Sequence, residues 1–198
     1  MSDFVKKYED GLTRCRWPGS DELYIAYHDK EWGVPRFGDD EIFERISLEG
    51  FQAGLSWITI LRRRETFRKA FMQFEVAEVA KLTDNYVEEL MLNEGIIRNR
   101  AKIRSTIGNA NIVLELQKQG QSISDIVWSF APSINKRTSS NRSFEWKATS
   151  PESDALSKHL KSLGFGFVGS TTMYALMQAT GFVNDHAPGC FRRNFLRS

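Results

Sequence analysis

The chain has little cysteine, little histidine, little proline and no long apolar run, and each shortage narrows what it can be. Its 198 residues include two cysteines, three histidines and five prolines. No stretch approaches the roughly 20 apolar residues that a membrane-spanning helix needs, so no such span is expected. The opening MSDFVKKYEDGL lacks the apolar core of a secretory signal, and a cytoplasmic protein is expected. Two cysteines cannot build a disulfide framework, and a chain of this length needs none to bury a core, whether as one domain or as two lobes. Sustained apolar-polar alternation and tandem repeats are also missing, which argues against a β-rich fold.

Helix signals are abundant instead. Asp39 and Asp40 precede EIFERI, which puts Ile42, Phe43 and Ile46 on one face, and a second stripe runs from Leu55 through Trp57, Ile58 and Leu61 to Phe67, Ala70 and Phe71. Val76, Val79 and Ala80 mark a short helix, and Thr83 or Asp84 can cap the segment from Tyr86 to Leu92. Ile96, Ile103, Ile107, Ala110 and Leu114 mark a long helix ending near Gly120, and Ser124 opens a short one closed by Pro132. Residues 133–149 are polar and aperiodic, an exposed excursion. Ser150 and Pro151 start a helix that Gly164 ends, and Ser170 caps another that stops at Gly181. The predicted fold class is all-α.

The two cysteines lie at opposite ends of the chain, and each has a histidine in its neighbourhood: Cys15 with His28, and His186 with Cys190 in HAPGC. Two sulfurs and two imidazoles are the complement of a tetrahedral Cys2His2 zinc site, which would join the N- and C-terminal segments. A Cys15 to Cys190 disulfide, or two buried thiols that never meet, are the alternatives. The disulfide requires an oxidising compartment.

The net charge of +2 conceals segregation. Basic residues gather at 62–69, 98–104, 136–147 and 192–197, while acidic ones collect at 39–49 and 75–94. Such windows can form a basic face for a polyanion, although any single one reads as a solvated helix surface. The run LKSLGFGFVGSTTMYALMQATG reads as helix, glycine hairpin, helix: Gly164, Gly166 and Gly169 permit a tight turn, and the amides near Ser170 and Thr171 can hold a phosphate. This is the pattern of a helix-hairpin-helix element, spanning about residues 151–181, that grips the DNA backbone without reading sequence. Trp17, Tyr24, Tyr27 and Trp32 flank His28, and Glu49 and Trp57 border GFQAGLSW. Aromatic faces near one carboxylate suit a planar, hydrogen-bonding, cationic ring, whereas each aromatic taken singly reads as core. Glu49 stands out because it enters an apolar segment with no local partner.

The strings CRW, LYIAYHDKEWGVP, LEGFQAGLSWITIL, EGIIRNRAKI, SDALSK, GFGFVG and VNDH followed by GC resemble those of the 3-methyladenine DNA glycosylase I family, the Tag type of the helix-hairpin-helix glycosylases, over nearly all of Cys15 to Cys190. The resemblance implies a single glycosylase domain over 15–198, with two helical lobes, preceded by an N-terminal extension at 1–14. It implies a structural zinc ion held by Cys15, His28, His186 and Cys190. It implies that Glu49 hydrogen-bonds the damaged adenine, that Trp57 stacks on it, that Tyr24 and Tyr27 line the pocket, and that Trp17 and Trp32 form its wall. The implied activity is monofunctional excision of 3-methyladenine from double-stranded alkylated DNA by a monomer, with Glu49 as the catalytic carboxylate. The hairpin continues Gly169, Ser170, Thr171, Thr172 and offers no lysine for a Schiff base, so strand cleavage is not expected. Asp185, near the place where wider relatives carry a catalytic aspartate, is not assigned that role. Two rival readings are a zinc-dependent base deaminase, whose H-x-E and P-C-x-x-C signature is absent, and a zinc-clasped DNA-binding module without enzymatic activity.

Overall fold

The computed structural model describes residues 3–133 and 144–197. The described residues are mostly helical: α1 (Glu22–Lys30), α2 (Asp39–Gln52), α3 (Trp57–Leu61), α4 (Arg64–Ala70), α5 (Val76–Val79), α6 (Asp84–Leu92), α7 (Arg100–Lys118), α8 (Ile123–Trp128), α9 (Pro151–Ser162) and α10 (Ser170–Ala179). The helices are accompanied by one short hairpin, in which β1 (Val5–Lys7) and β2 (Thr13–Cys15) pair antiparallel, with Val5 opposite Cys15 and Lys6 opposite Arg14. Three-residue strands are too short to display an alternation. No described helix is long and apolar enough to cross a membrane.

The chain divides into two compact units. The first comprises Met1–Arg36, Ala131–Ala148 and Met177–Ser198, and the second Phe37–Phe130 and Thr149–Leu176. In the second, α2 packs against α3, α5, α7 and α8, and its apolar face meets a phenylalanine cluster. Phe51 lies 4.6 Å from Phe67 and 5.7 Å from Phe71, and Phe71 stacks on Phe74 at 5.6 Å, all of these rings being fully buried. Such a cluster contributes hydrophobic burial of about 2 kcal/mol or more per ring and fixes α2 as the element around which this unit is built.

Side-chain caps set several boundaries. Ser150 accepts from the Ser153 backbone amide while the Ser153 hydroxyl accepts from Ser150, a reciprocal pair that starts α9 where the Ser-Pro signal predicts. Asn99 caps α7, so Ile96 lies ahead of that helix, and Ser122 rather than Ser124 caps α8. The stripe from Leu55 to Phe71 is two helices, because the chain breaks at Arg62 and Arg63 between α3 and α4. Of the expected excursion at 133–149, residues 134–143 lie outside the described residues, as does part of the basic window 136–147.

Candidate functional site

Two groups of buried polar side chains stand out. The first lies in the first unit. β2 ends at Cys15, α1 presents His28 in its last turn, and the segment Asn184–Cys190 turns His186 and Cys190 inward. That turn is held by its own polar contacts: Asn184 Nδ2 donates to Arg193 O at 2.8 Å, the His186 amide to Asn184 Oδ1 at 3.3 Å, and the Arg193 guanidinium to His186 O. All four ligand atoms lie within 4.8 Å of one another and all four residues are buried. Cys190 Sγ is 3.5 Å from His28 Nε2 and 3.6 Å from His186 Nδ1, and Cys15 Sγ is 4.0 Å from His186 Nδ1.

Donor atoms on a tetrahedral zinc ion stand about 3.3 to 3.8 Å apart, given bonds of about 2.0 to 2.3 Å; the two Cys190 separations fall in that range, and the Cys15 to His186 separation lies just above it. The electrostatics divide the two sulfurs. Cys190 is held far below the usual thiol range, first by the hydrogen bond from Cys15 and then, against the opposing effect of burial, by His186 and His28. The Cys15 thiol is pushed up by the same contact and by burial, which favours its neutral form, and burial lowers His186 toward the neutral imidazole. Outer contacts orient the rings: His28 Nδ1 meets Asp29 Oδ1 at 2.8 Å, His186 Nε2 meets Trp32 O at 3.2 Å, and the Ala187 amide donates to Cys15 Sγ at 3.3 Å. Both cysteines are free, which removes the disulfide alternative.

The predicted pocket aromatics of the first unit are brought together around this cluster. The Trp17 ring is 4.7 Å from Tyr24, 6.4 Å from Tyr27, 5.3 Å from His28 and 5.1 Å from Trp32. Trp32 also meets the His186 ring edge-on at 4.6 Å, so part of its surface belongs to the donor cluster. Asp185 lies in this unit too, and Gln178 Nε2 donates to its Oδ2 at 2.9 Å.

The second cluster lies in the second unit. Glu49 stands on α2 and is only 3% exposed, and its Oε2 has no hydrogen-bond partner among the described residues. Burial pushes its carboxyl up to about 8, and only the charge of Arg45, one turn earlier on α2, opposes the shift. An orphaned acid of this kind is costly to the fold and therefore points to a ligand. Gly50 follows it, and a side chain at that position would come within 3.3 Å of Phe167 Cβ. The turn after α2 uses Gly54 at φ +85°, and Trp57, 7% exposed, opens α3.

The glycine hairpin joins α9 to α10 in the same unit. Gly164 adopts φ +97°, and Gly166 is tied on both sides by Asn109 of α7, whose Oδ1 accepts from its amide at 2.9 Å and whose Nδ2 donates to its carbonyl at 3.1 Å. A Cβ on Gly166 would lie 2.2 Å from Ser105 Oγ. Gly169 differs from the expectation, because its backbone is outside the left-handed region and a Cβ would meet nothing closer than Thr172 Oγ1 at 3.9 Å. Its place in the turn does not require glycine. Phe167 takes the left-handed position instead, at φ +57°. Ser170 donates its hydroxyl to Asp154, and Thr171 follows in the first turn of α10.

Sequence reasoning missed the groups that hold these parts. Lys102, on α7, is buried, donates to Phe51 O at 2.9 Å and Ala53 O at 2.7 Å, and so caps the end of the helix that carries Glu49. Nothing in NRAKI distinguishes a buried lysine from the exposed arginines beside it. Asn109 was equally silent.

Comparison with known proteins identifies relatives of this arrangement. The family model for methyladenine glycosylase matches residues 17–193. DNA-3-methyladenine glycosylase 1 of Escherichia coli (strain K12) is 49% identical over 179 residues, covering 90% of this chain and 96% of that protein. A solved structure of 3-methyladenine DNA glycosylase I (TAG) has a TM-score of 0.85 at 48% identity and covers 90% of this chain and 98% of its own. The TAG structure from Staphylococcus aureus that addresses 3-methyladenine recognition has a TM-score of 0.81 at 30% identity, covering 91% of this chain and 96% of that one.

Proposed function

The chain belongs to the methyladenine glycosylase family, and from that premise we propose how its residues divide the work of excising 3-methyladenine from alkylated DNA. The protein is a base-excision repair glycosylase that hydrolyses the N-glycosidic bond and leaves an abasic site.

Methylation at N3 makes the purine cationic, so the glycosidic bond already breaks toward a neutral leaving group. Strong acid catalysis is unnecessary. The protein must extract the nucleotide from the stack, which costs a few kcal/mol, and then prefer the lesion to ordinary adenine. The observation that carries the reading is the buried, unpartnered Glu49 carboxyl. Without a ligand it is held neutral, because burial opposes its ionisation. A cationic adenine restores the missing charge and offers N–H donors, so the lesion would be bound through two favourable changes that normal adenine provides only in part. As the bond lengthens, positive charge moves onto the sugar, and the same carboxylate favours it electrostatically. Water then adds to the oxocarbenium-like carbon. Trp57 offers a stacking face worth about 0.5 to 2 kcal/mol to a cationic ring. Tyr24, Tyr27, Trp17 and Trp32 keep the base-binding assignment that the family resemblance implies.

Phosphate contacts fall to the helix-hairpin-helix segment, with Gly164 and Gly166 shaping the turn and the first amides of α10, at Ser170 and Thr171, supplying donors. A zinc ion bound by Cys15, His28, His186 and Cys190 would have four protein ligands and no open position for water, so its contribution would be stability alone. The protein would act as a monomer on duplex DNA. The rival of a non-enzymatic DNA-binding module leaves the buried acid of Glu49 unexplained. Glu49→Gln separates the two: excision of 3-methyladenine should slow while binding to undamaged duplex stays at the parental level. Parental excision by a correctly folded variant would remove Glu49 from the reaction.

A further inference from the structure

Both imidazoles of the donor cluster are held from outside, but His28 is held by a chain of charged groups that runs back into the β1–β2 hairpin. Its Nδ1 meets Asp29 Oδ1 at 2.8 Å; a carboxylate can only accept, so Nδ1 carries the proton and Nε2 is left to face Cys190 Sγ. Asp29 is fixed in turn by Arg14, whose Nε donates to both carboxylate oxygens at 2.9 Å and whose Nη2 donates to Oδ2 at 2.8 Å. The opposite edge of the same guanidinium is taken by Asp10, with Nη1 to Oδ1 at 2.9 Å and Nη2 to Oδ2 at 2.6 Å. Arg14 is buried, and its guanidinium lies 4.9 Å from the Tyr8 ring and 5.4 Å from the Phe191 ring.

The hairpin is built to deliver Asp10 to this place. Tyr8 and Leu12 close the turn through an amide-to-carbonyl bond of 2.9 Å, Gly11 takes φ +83°, and the Leu12 amide donates to Asp10 Oδ1 at 3.0 Å. Asp10 and Arg14 both precede the stretch matched by the family model, which begins at residue 17.

We propose that Asp10, Arg14 and Asp29 are positioning residues that brace His28 as a metal ligand, so that the N-terminal hairpin governs how firmly the ion is retained. This rests on the zinc reading given above. A carboxylate behind a ligating imidazole fixes the tautomer and ring angle and raises the basicity of the ligand nitrogen, and losing such an outer partner typically costs 10-fold to 100-fold in metal affinity. Here the carboxylate is itself free to rotate unless Arg14 holds both oxygens, and the planar fork of an arginine does this where a lysine point charge would not. Asp10 then locks the fork. The order of action is Asp10 on Arg14, Arg14 on Asp29, and Asp29 on His28.

The test measures zinc directly. Zinc content of the purified full-length protein is determined first, and then the rate at which zinc passes to a chromophoric chelator is followed for the parental protein, Asp29→Asn, Asp10→Ala and the double variant. Asp29→Asn should release zinc about 10-fold to 100-fold faster. Asp10→Ala, at a half-exposed site where loss of folding is not expected, should show a smaller acceleration, and the double variant should be no faster than Asp29→Asn alone. Zinc-loaded parental protein with both single variants at its release rate would overturn the brace, as would independent, multiplying effects in the double variant. Parental protein without zinc would instead remove the metal reading on which the brace stands, so the two failures are distinct.

Discussion

Replacing Glu49 by glutamine should remove a stability loss that the parental protein suffers as pH rises, while making it a poorer enzyme. The carboxyl is pushed from its ordinary value of 4.5 up to about 8 by burial. Between those values the unfolded chain has lost its proton while the folded chain keeps it, so the folded state weakens as pH rises, and the penalty is complete above about 8. Each pH unit in this window is worth about 1.4 kcal/mol, which gives a loss on the order of 4 kcal/mol between pH 5 and pH 8. The amide does not titrate. Urea unfolding of both proteins at several pH values isolates the effect, because the unpartnered amide carries a desolvation cost of its own that does not vary with pH. The parental curve should therefore fall relative to the variant by a few kcal/mol across this range. Parallel curves would show that Glu49 titrates normally in the folded chain and that its isolation is not real.

Other perturbations probe the remaining parts. The rate constant kcat/KM for excision should rise with pH toward about 8 as Glu49 ionises and then level, and a profile flat through that region would contradict the role given to the carboxylate. Gly166→Ala should cost about 1 to 3 kcal/mol through its approach to Ser105 and weaken binding to all duplexes alike, whereas Gly169→Ala should be tolerated; equal effects in thermal melts and salt-dependent binding would refute the distinction. Cys190→Ser should lower the melting temperature and abolish stoichiometric zinc, with excision retained by protein that stays folded, and loss of the chemistry in well-folded protein would argue for a catalytic metal.

The elements legible in the sequence were those whose cause is local. Ser150 and Pro151 start α9 because a hydroxyl cap and a first-turn proline act within four residues, whereas Thr83 stands at the start of α6 without a side-chain cap bond. The four donors were legible because cysteine and histidine are scarce, although Cys15 and His186 are 171 positions apart. The α1 helix was not read, since Tyr24, Tyr27 and His28 drew attention as chemistry while its start depends on one side chain, Asp21, accepting from the Tyr24 amide at 2.9 Å. Phe167 in a left-handed turn, Lys102 capping α2 and the Asp10 to Asp29 brace are products of tertiary packing, and no local pattern carries them. Gly169 shows the reverse error: a glycine in a glycine-rich turn need not be there for its conformation.

The most direct measurement is single-turnover reaction of the parental protein with a duplex containing one 3-methyladenine, with the base and the strand analysed separately. The account predicts release of free 3-methyladenine and an uncut strand bearing an abasic site, with no adduct trapped by borohydride. A covalent protein–DNA adduct accompanied by strand scission would contradict the monofunctional mechanism, and a lesion bound but never released would contradict the enzymatic one.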